Sequence, residues 1–210
     1  MPLNVNGNTI TSNGAKYFNY KNIVTSGLTC YIDAANSNSY PGTGTTWYDL
    51  SGNGNNFTFP QIGTYTGYSA LCLYEGLDKK GVIHTIDKNE ELFEIQKKYF
   101  EKTGEKEKFI QHTGNALKII PTINETFDLI FLDADKENYI NYFNCIINKL
   151  NKKGVILADN VLWSGKVADE KQQDETTKIL REFNNMVNND CRVETILLPI
   201  RDGISLIRKI

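Results

Sequence analysis

The sequence predicts an α/β protein with a doubly wound, mostly parallel sheet, preceded by an irregular, turn-rich segment. Beyond residue 60, short apolar runs bounded by Gly, Asp or Asn alternate with amphipathic stretches. At the carboxyl end, RVETILLPI and GISLIRKI are typical of two strands joined by an Arg201-Asp202-Gly203 turn. Alternation of strand and helix predicts parallel pairing, and the closing hairpin predicts an antiparallel edge.

The predicted elements follow from length and period. Runs of four to six apolar residues are typical of strands buried on both faces, whereas longer amphipathic stretches are typical of helices. The strands are expected at about 82–86, 108–111, 127–132 and 153–158, and the helices at 68–77, 89–103, 136–150 and 171–189.

The stretch 89–103 has the most explicit helix pattern. Asn89 is a candidate N-cap because acidic residues follow it, as helix first turns prefer. Its spacing places Leu92, Ile95, Tyr99 and Phe100 on one apolar face. We therefore expect these four side chains to pack against the sheet.

The first sixty residues have a different composition. They hold only 4 of the chain's 48 charged residues, and Asn, Gly, Ser and Thr make up about half of the segment. Such a shift predicts a boundary, which we place near Pro60. The predicted organisation is an incomplete, β- and turn-rich segment at 1–60 followed by a domain at 61–210.

Composition excludes several classes of protein. With 210 residues and a net charge of −2, nothing global favours nucleic acid or an anionic membrane. There is no apolar run of the ~18 residues that a membrane span needs and no signal-peptide pattern near the start. The four cysteines are scattered without a CxxC pair, which disfavours zinc or a disulfide framework and predicts a cytoplasmic protein.

The segment IGTYTGYSA, at 62–70, joins a predicted strand to a predicted helix. Gly63 and Gly67 would let the backbone bend and approach a ligand closely, although the same spacing also occurs in packing glycines. Asp87 ends the next predicted strand, where an acid binds a nucleoside ribose. The loop lacks the G-x-G-x-x-G pattern of pyrophosphate binders, which favours S-adenosylmethionine over a nicotinamide dinucleotide.

Two further apolar strands each end in acidic or amide residues. Asp133 follows one, and Asp159 and Asn160 follow the other, so all three are expected at the same rim of the sheet. An oxygen-only set suits Mg²⁺, Mn²⁺ or Ca²⁺ rather than zinc. The alternative is that these residues are helix caps.

These motifs give the chain from Ile62 to Ile210 a family resemblance. GTYTGYSAL, DADKENY, ADNVLWSGKV, VETILLPI and a final DG-turn strand resemble, in order, the cation-dependent class I O-methyltransferases of the catechol and caffeoyl-CoA O-methyltransferase type. The resemblance implies a seven-stranded Rossmann-like sheet whose last strand is antiparallel. It also implies S-adenosylmethionine as methyl donor, a divalent metal, and a small acceptor with vicinal hydroxyls, and it leaves a homodimer open.

The resemblance assigns roles to particular positions. For the metal it implies Asp133, Asp159 and Asn160; for catalysis, Lys136 as general base beside Asp133; and for substrate, Asp133 and Ser164. For the donor it implies Gln61, Gly63, Thr64, Gly67, Ser69, Asp87, Ala116 and Asp135. The alternative for Lys136 is a solvated lysine at a helix start.

Three departures from the family bear on activity. Its members have their own helical lid before the glycine loop, where this chain has the charge-poor segment; within it, residues 21–56 resemble the opening strands of concanavalin-like or laminin-G-like surface domains. The family's acid before the loop is Gln61 here, and Pro60 interrupts the first strand. The alternatives are therefore a weakly active or inactive fusion, or a phage- or surface-type binding protein.

Overall fold

The computed structural model describes the backbone of residues 3–5 and 8–10 and the chain from residue 59 to residue 210. The first two segments are strands β1 (Leu3–Val5) and β2 (Asn8–Ile10), which pair antiparallel. The predicted concanavalin-like segment lies outside the described residues and stays a prediction, as does the domain boundary. No described helix is long and apolar enough to cross a membrane.

A seven-stranded sheet forms the centre of the domain, in the order β5-β4-β3-β6-β7-β9-β8. All neighbouring strands from β5 to β7 pair in parallel, and only the last strand, β9, runs against its neighbours. The predicted doubly wound sheet with an antiparallel last strand is confirmed. The strands are β3 (Phe59–Ile62), β4 (Ile83–Asp87), β5 (Phe109–Thr113), β6 (Phe127–Leu132), β7 (Leu150–Asp159), β8 (Val193–Leu198) and β9 (Ile204–Lys209).

Five α-helices connect these strands, and short 3-10 turns extend several of them. Apolar residues on alternate positions of the strands divide into two clusters, one on each face of the sheet. The larger cluster packs under α3, α4 and α5, and the smaller under α1 and α2. The helices are α1 (Tyr68–Tyr74), α2 (Phe93–Glu101), α3 (Ala116–Ile119), α4 (Tyr139–Ile146) and α5 (Glu175–Asn189).

Strand β3 accommodates Pro60 through its register. Pro60 pairs with His84 of β4, but pairing with β6 on the other side begins only at Gln61. The missing N–H of proline therefore falls where β6 has no registered partner for it. Pro60 therefore lies within the pairing with β4 and before the pairing with β6, and the glycine loop follows directly after Ile62.

The buried face of α2 differs from the predicted one. Asn89 does cap the preceding turn, accepting a hydrogen bond from the Glu91 amide at 3.0 Å. However, Ile95 and Tyr99 are each 44% exposed, whereas Gln96 and Phe100 are buried. The face of α2 that packs against the sheet therefore includes the polar residue Gln96. Gln111 of β5 provides its partner, since Gln111 Nε2 donates to Gln96 Oε1 at 3.1 Å.

Both histidines of the chain lie side by side on β4 and β5. His84 Nδ1 is 3.0 Å from His112 Nε2, and the two rings are stacked. Burial lowers the pKa of His84, the positive charge of a protonated His112 would lower it further, and Glu125 opposes the shift. Burial lowers the pKa of His112 as well. The fold therefore favours two neutral rings.

We expect the protein to lose stability as the pH falls from 7.5 to 5.5. The folded state holds these histidine pKa values below the ordinary 6.5, so protonation favours the unfolded chain below about that pH. Urea unfolding at both pH values measures the loss. In the His84→Gln variant the pH dependence should be smaller, and an equal dependence in variant and wild type would contradict the assignment to this pair.

Candidate active site

The loop that follows β3 contains two glycines, Gly63 and Gly67, at positions that leave no room for a side chain. Gly63 has φ +87°, and a Cβ there would lie 2.0 Å from the Asp133 carbonyl oxygen. Gly67 has φ +86°, and a Cβ there would lie 3.0 Å from the Phe100 ring. The loop backbone thus passes against the end of β6, at the point where the strand order reverses.

Asp87 fastens this loop to the end of β4. Its Oδ2 accepts a hydrogen bond from the Tyr65 amide at 2.7 Å, and its Oδ1 accepts one from the Asn89 amide at 2.9 Å. The Gly114 amide donates to the Asp87 carbonyl at 2.8 Å, which brings the chain entering α3 at Ala116 to the same rim. The structure therefore places Asp87 beside the glycine loop, and Ala116 lies two residues after Gly114, which contacts Asp87.

Three other residues predicted to bind the donor, Ser69, Thr64 and Gln61, differ in their burial and in their hydrogen bonding. Ser69 lies half-buried in the first turn of α1. The buried Thr64 hydroxyl lies 3.4 Å from the Gln61 and Ile86 carbonyl oxygens, so it fixes the loop. Gln61 is only 1% exposed, and its Oε1 has no hydrogen-bond partner among the described residues.

Asp135 is held as a charged group at the end of the β6 loop. Burial disfavours its ionised form. Hydrogen bonds from the Asn138 side-chain amide and the Tyr142 hydroxyl more than offset this and lower the pKa of Asp135. The Tyr142 hydroxyl lies 2.8 Å from Asp135 Oδ1. Asp135 is thus a fixed carboxylate within the predicted donor site.

The predicted metal ligands lie at the ends of two neighbouring parallel strands. Leu132 of β6 pairs with Ala158 of β7, so the next residues, Asp133 and Asp159, follow paired positions. Asn160 has φ +58°, and its amide donates to Asp159 Oδ1 at 2.7 Å. Within the described chain, no cluster of three or more His, Cys, Asp or Glu has metal-site geometry. The three predicted ligands, Asp133, Asp159 and Asn160, offer two carboxylates and one side-chain amide oxygen.

Lys136 begins the segment that leads into α4 and points back to this pair of strands. Its ammonium donates to Asp133 Oδ1 at 3.0 Å and to the Tyr139 hydroxyl at 2.5 Å. The Lys136 side chain is only 10% exposed. These contacts disfavour the alternative of a solvated lysine at a helix start.

The Tyr139 hydroxyl contacts the carboxyl ends of both β6 and β7. Tyr139 is fully buried, and its hydroxyl lies 3.1 Å from the Leu132 carbonyl oxygen and 2.9 Å from that of Asp159. Burial, together with the nearby Asp133 and Asp159 carboxylates, raises the pKa of Tyr139 well above its usual range, so the phenol stays protonated. It therefore holds the backbone of both acidic residues while it orients Lys136.

Ser164, the predicted substrate residue, lies at the exposed tip of the loop after β7. It has φ +55°, and its amide donates a hydrogen bond to the Asp202 carboxylate of the β8–β9 turn. This contact ties the loop to the closing hairpin. Its side chain is solvent-exposed, and no described contact joins it to Lys136.

Sequence reasoning missed three residues that hold this site together: Tyr139, Asp202 and Gln96. Tyr139 stands inside the DADKENY motif, three residues after Lys136, and that helical spacing was a usable signal. Asp202 and Gln96 act across long sequence separations, through the Ser164 and Tyr65 backbones respectively. No local sequence pattern predicts such long-range contacts.

Taken together, the fold and this rim define a doubly wound α/β protein of the nucleoside-binding class, with acidic residues at the strand ends. Comparison with known proteins narrows the class. The sequence profile described as O-methyltransferase matches residues 54–210. The chain belongs to this O-methyltransferase family.

Relatives and solved structures agree with that membership. The chain is 37% identical over 162 residues to a caffeoyl-CoA O-methyltransferase of Petroselinum crispum, covering 71% of this chain and 67% of that protein. An O-methyltransferase of Bacillus cereus in complex with S-adenosylhomocysteine superposes with a TM-score of 0.68 at 28% identity, over 73% of this chain and 74% of that one. An O-methyltransferase of Streptomyces achromogenes in complex with S-adenosylmethionine gives 0.66 at 27% identity, with 72% of each chain covered.

Proposed function

We propose that the protein transfers a methyl group from S-adenosylmethionine to a hydroxyl of a small acceptor with vicinal oxygens, with the help of a divalent cation. The observation that carries the proposal is the arrangement at one rim. A glycine loop fastened to Asp87 lies directly against the end of β6, where Asp133 begins the oxygen-rich set. The glycine loop with Asp87 forms the donor half of the proposed site. It is adjacent to the acceptor half, which consists of Asp133, Asp159 and Asn160.

The donor half fits a nucleoside with an attached amino acid. Both Asp87 oxygens already accept one backbone hydrogen bond each, and a carboxylate has further lone pairs for ribose hydroxyls. The glycine loop offers close backbone approach, and Asp135 provides a fixed negative charge nearby. The two family relatives bound to S-adenosylhomocysteine or S-adenosylmethionine support this assignment of the donor.

The acceptor half fits a hard cation. Asp133, Asp159 and Asn160 offer only oxygen ligands at neighbouring strand ends, a set suited to Mg²⁺, Mn²⁺ or Ca²⁺. Such a cation supplies charge that favours ionisation of a bound hydroxyl. The chain's own contribution is to fix the ligands: Tyr139 holds the backbone at Asp159, and the Asn160 amide orients the Asp159 carboxylate.

Lys136 is the group that would take the acceptor's proton. It lies three residues after Asp133 and contacts that carboxylate, so its Nζ would face an acceptor bound at the same oxygen set. The donor's methyl would then pass to the acceptor oxygen by in-line attack, for which the rim supplies proximity and orientation. No covalent enzyme intermediate is needed.

Two features bear on the rate. Gln61 replaces the acid that the resemblance expects before the loop, which removes one charged contact to the donor. The segment before residue 59 carries no helix-period pattern in its sequence that would close the site against water. We therefore propose slow turnover with donor binding retained; a surface-type binding protein remains the alternative if no donor binds.

The test is calorimetric titration of the full chain with S-adenosylhomocysteine. Asp87→Ala should weaken binding by about 1–3 kcal/mol, because charge-assisted hydrogen bonds to the ribose and the Tyr65 amide are lost. Asp190→Ala is the matched control: Asp190 also accepts the amide two residues on, at 2.9 Å, but precedes β8 at the opposite edge of the sheet. Equal affinities of wild type and Asp87→Ala would contradict the ribose assignment.

A further inference from the structure

A row of three polar side chains, two of them buried and Gln111 half-buried, crosses the sheet beneath the glycine loop. Gln61 of β3 pairs with Thr85 of β4, and Thr85 pairs with Gln111 of β5, so the three side chains share one face. This is the face that α1 and α2 cover, where Ala70, Ile83, Phe100 and Phe109 form a buried apolar cluster. Gln61 Oε1 and Thr85 Oγ1 have no hydrogen-bond partner among the described residues, whereas Gln111 donates to Gln96 and to the Phe93 carbonyl oxygen. Buried polar groups are usually hydrogen-bonded, so the partners of Gln111 indicate what this end of the row does.

Gln96 links this row to the loop. It is 3% exposed, and Gln111 Nε2 donates to its Oε1 at 3.1 Å. That contact fixes the orientation of the Gln96 amide, since its remaining group, Nε2, must then point away from Gln111. Gln96 Nε2 donates to the Tyr65 carbonyl oxygen at 2.6 Å.

The Tyr65 peptide is a point at which the loop needs support. Tyr65 has φ +47°, a left-handed conformation that costs a non-glycine residue about 1–2 kcal/mol. Its side chain is 70% exposed, so packing of the ring does not hold it there. Its backbone is held instead from both ends, by Gln96 at the carbonyl and by Asp87 at the amide.

We propose that Gln96 is a positioning residue for the donor: it holds the Tyr65 peptide so that the loop presents its backbone to the donor and keeps Asp87 aligned. This inference rests on the proposed function, because it assumes that the loop binds S-adenosylmethionine. Gln96 itself does not touch the donor. It acts through the Tyr65 carbonyl, and Gln111 acts in turn on Gln96.

The test uses two variants of the full chain and one control. Gln96→Met keeps the length of the side chain and removes its hydrogen-bonding amide, and it should raise the dissociation constant for S-adenosylhomocysteine about tenfold. In the absence of ligand, the amides of residues 63–67 should exchange hydrogen faster, while those of β6 and β7 exchange as in wild type. Gln173→Met, in an exposed loop where Gln173 bonds only the Glu170 carbonyl in the described contacts, is the control and should change neither quantity.

Gln96→Glu provides a second readout that a general loss of packing would not produce. A charged carboxylate would oppose the Tyr65 carbonyl oxygen, whereas a protonated one can donate to it. Because burial raises a carboxyl pKa, the affinity of Gln96→Glu relative to wild type should recover as the pH falls from 8 to 6.

The outcomes separate the two proposals. Wild type that fails to bind S-adenosylhomocysteine overturns the proposed function, and the role of Gln96 with it. Wild type that binds, with unchanged affinity and loop exchange in Gln96→Met, overturns the role of Gln96 alone. If Gln96→Met does not fold, Gln96→Glu decides: an affinity ratio to wild type that is constant with pH also overturns the role.

Discussion

Replacing Gly63 with alanine should severely weaken the binding of S-adenosylhomocysteine. The added Cβ would lie 2.0 Å from the Asp133 carbonyl oxygen and 2.6 Å from its carbonyl carbon. Both atoms are backbone at the end of a central strand, so neither can move aside as a flexible side chain would. Either the loop or the end of β6 must shift, which displaces the donor half or Asp133 of the acceptor half. We expect an affinity loss of about a hundredfold or more, on the scale of a severe steric clash.

Gly104→Ala separates this clash from the cost of the backbone conformation. Gly104 has φ +79°, close to the +87° of Gly63, but a Cβ there would meet nothing within 4 Å. Its variant should lose about 1–2 kcal/mol of unfolding free energy from left-handed strain and keep its donor affinity. Calorimetric titration and urea unfolding measure both effects. Donor affinity in Gly63→Ala as high as in Gly104→Ala would show that the loop does not depend on close approach to β6.

Much of the sheet could be predicted because its strands are buried on both faces. The run at 127–132 coincides with β6, and the runs at 82–86 and 108–111 differ from β4 and β5 by one or two residues. β7 was predicted too short: it begins at Leu150, which pairs with Phe127 ahead of an irregularity in the register. The polar residues that follow Leu150 gave no apolar signal, because a long-range pairing and not local composition makes them part of the strand.

The rim was predictable for the same topological reason. Parallel strands place their carboxyl ends at one edge of the sheet, so the acids that end or follow three apolar runs were expected at the same edge. Only β6 and β7 are direct neighbours, so Asp133 and Asp159 follow adjacent strands, whereas Asp87 lies on β4. What sequence could not show is how they are held. The prediction of Ile95 and Tyr99 as buried was wrong because helical period alone cannot reveal that Gln111 and the Tyr65 carbonyl satisfy a buried Gln96. Tyr139 acts through two carbonyl groups that belong to different strands.

The second large effect concerns the cation. Asp133→Asn and Asp159→Asn should each weaken Mn²⁺ binding by about tenfold or more, because affinity for a hard cation follows the number of charged oxygen ligands. Asparagine keeps the shape of each side chain, so the fold and donor binding should persist. Turnover should fall more steeply in Asp133→Asn than in Asp159→Asn, since Asp133 also pairs with Lys136 at 3.0 Å.

Titration of Mn²⁺ monitored by electron paramagnetic resonance gives the affinities, and anomalous diffraction from crystals soaked in Mn²⁺ locates the ion. Asp190→Asn is the control, since its carboxylate pairs with Arg192 away from the rim and should leave Mn²⁺ affinity unchanged. The expected density lies between Asp133, Asp159 and Asn160, because their strand ends are adjacent and Tyr139 ties them together. Density only elsewhere, or the same affinity in all three variants, would refute the metal site. Because the donor half rests on Asp87 and the glycine loop, S-adenosylhomocysteine binding in these variants would show that the two halves of the rim are independent.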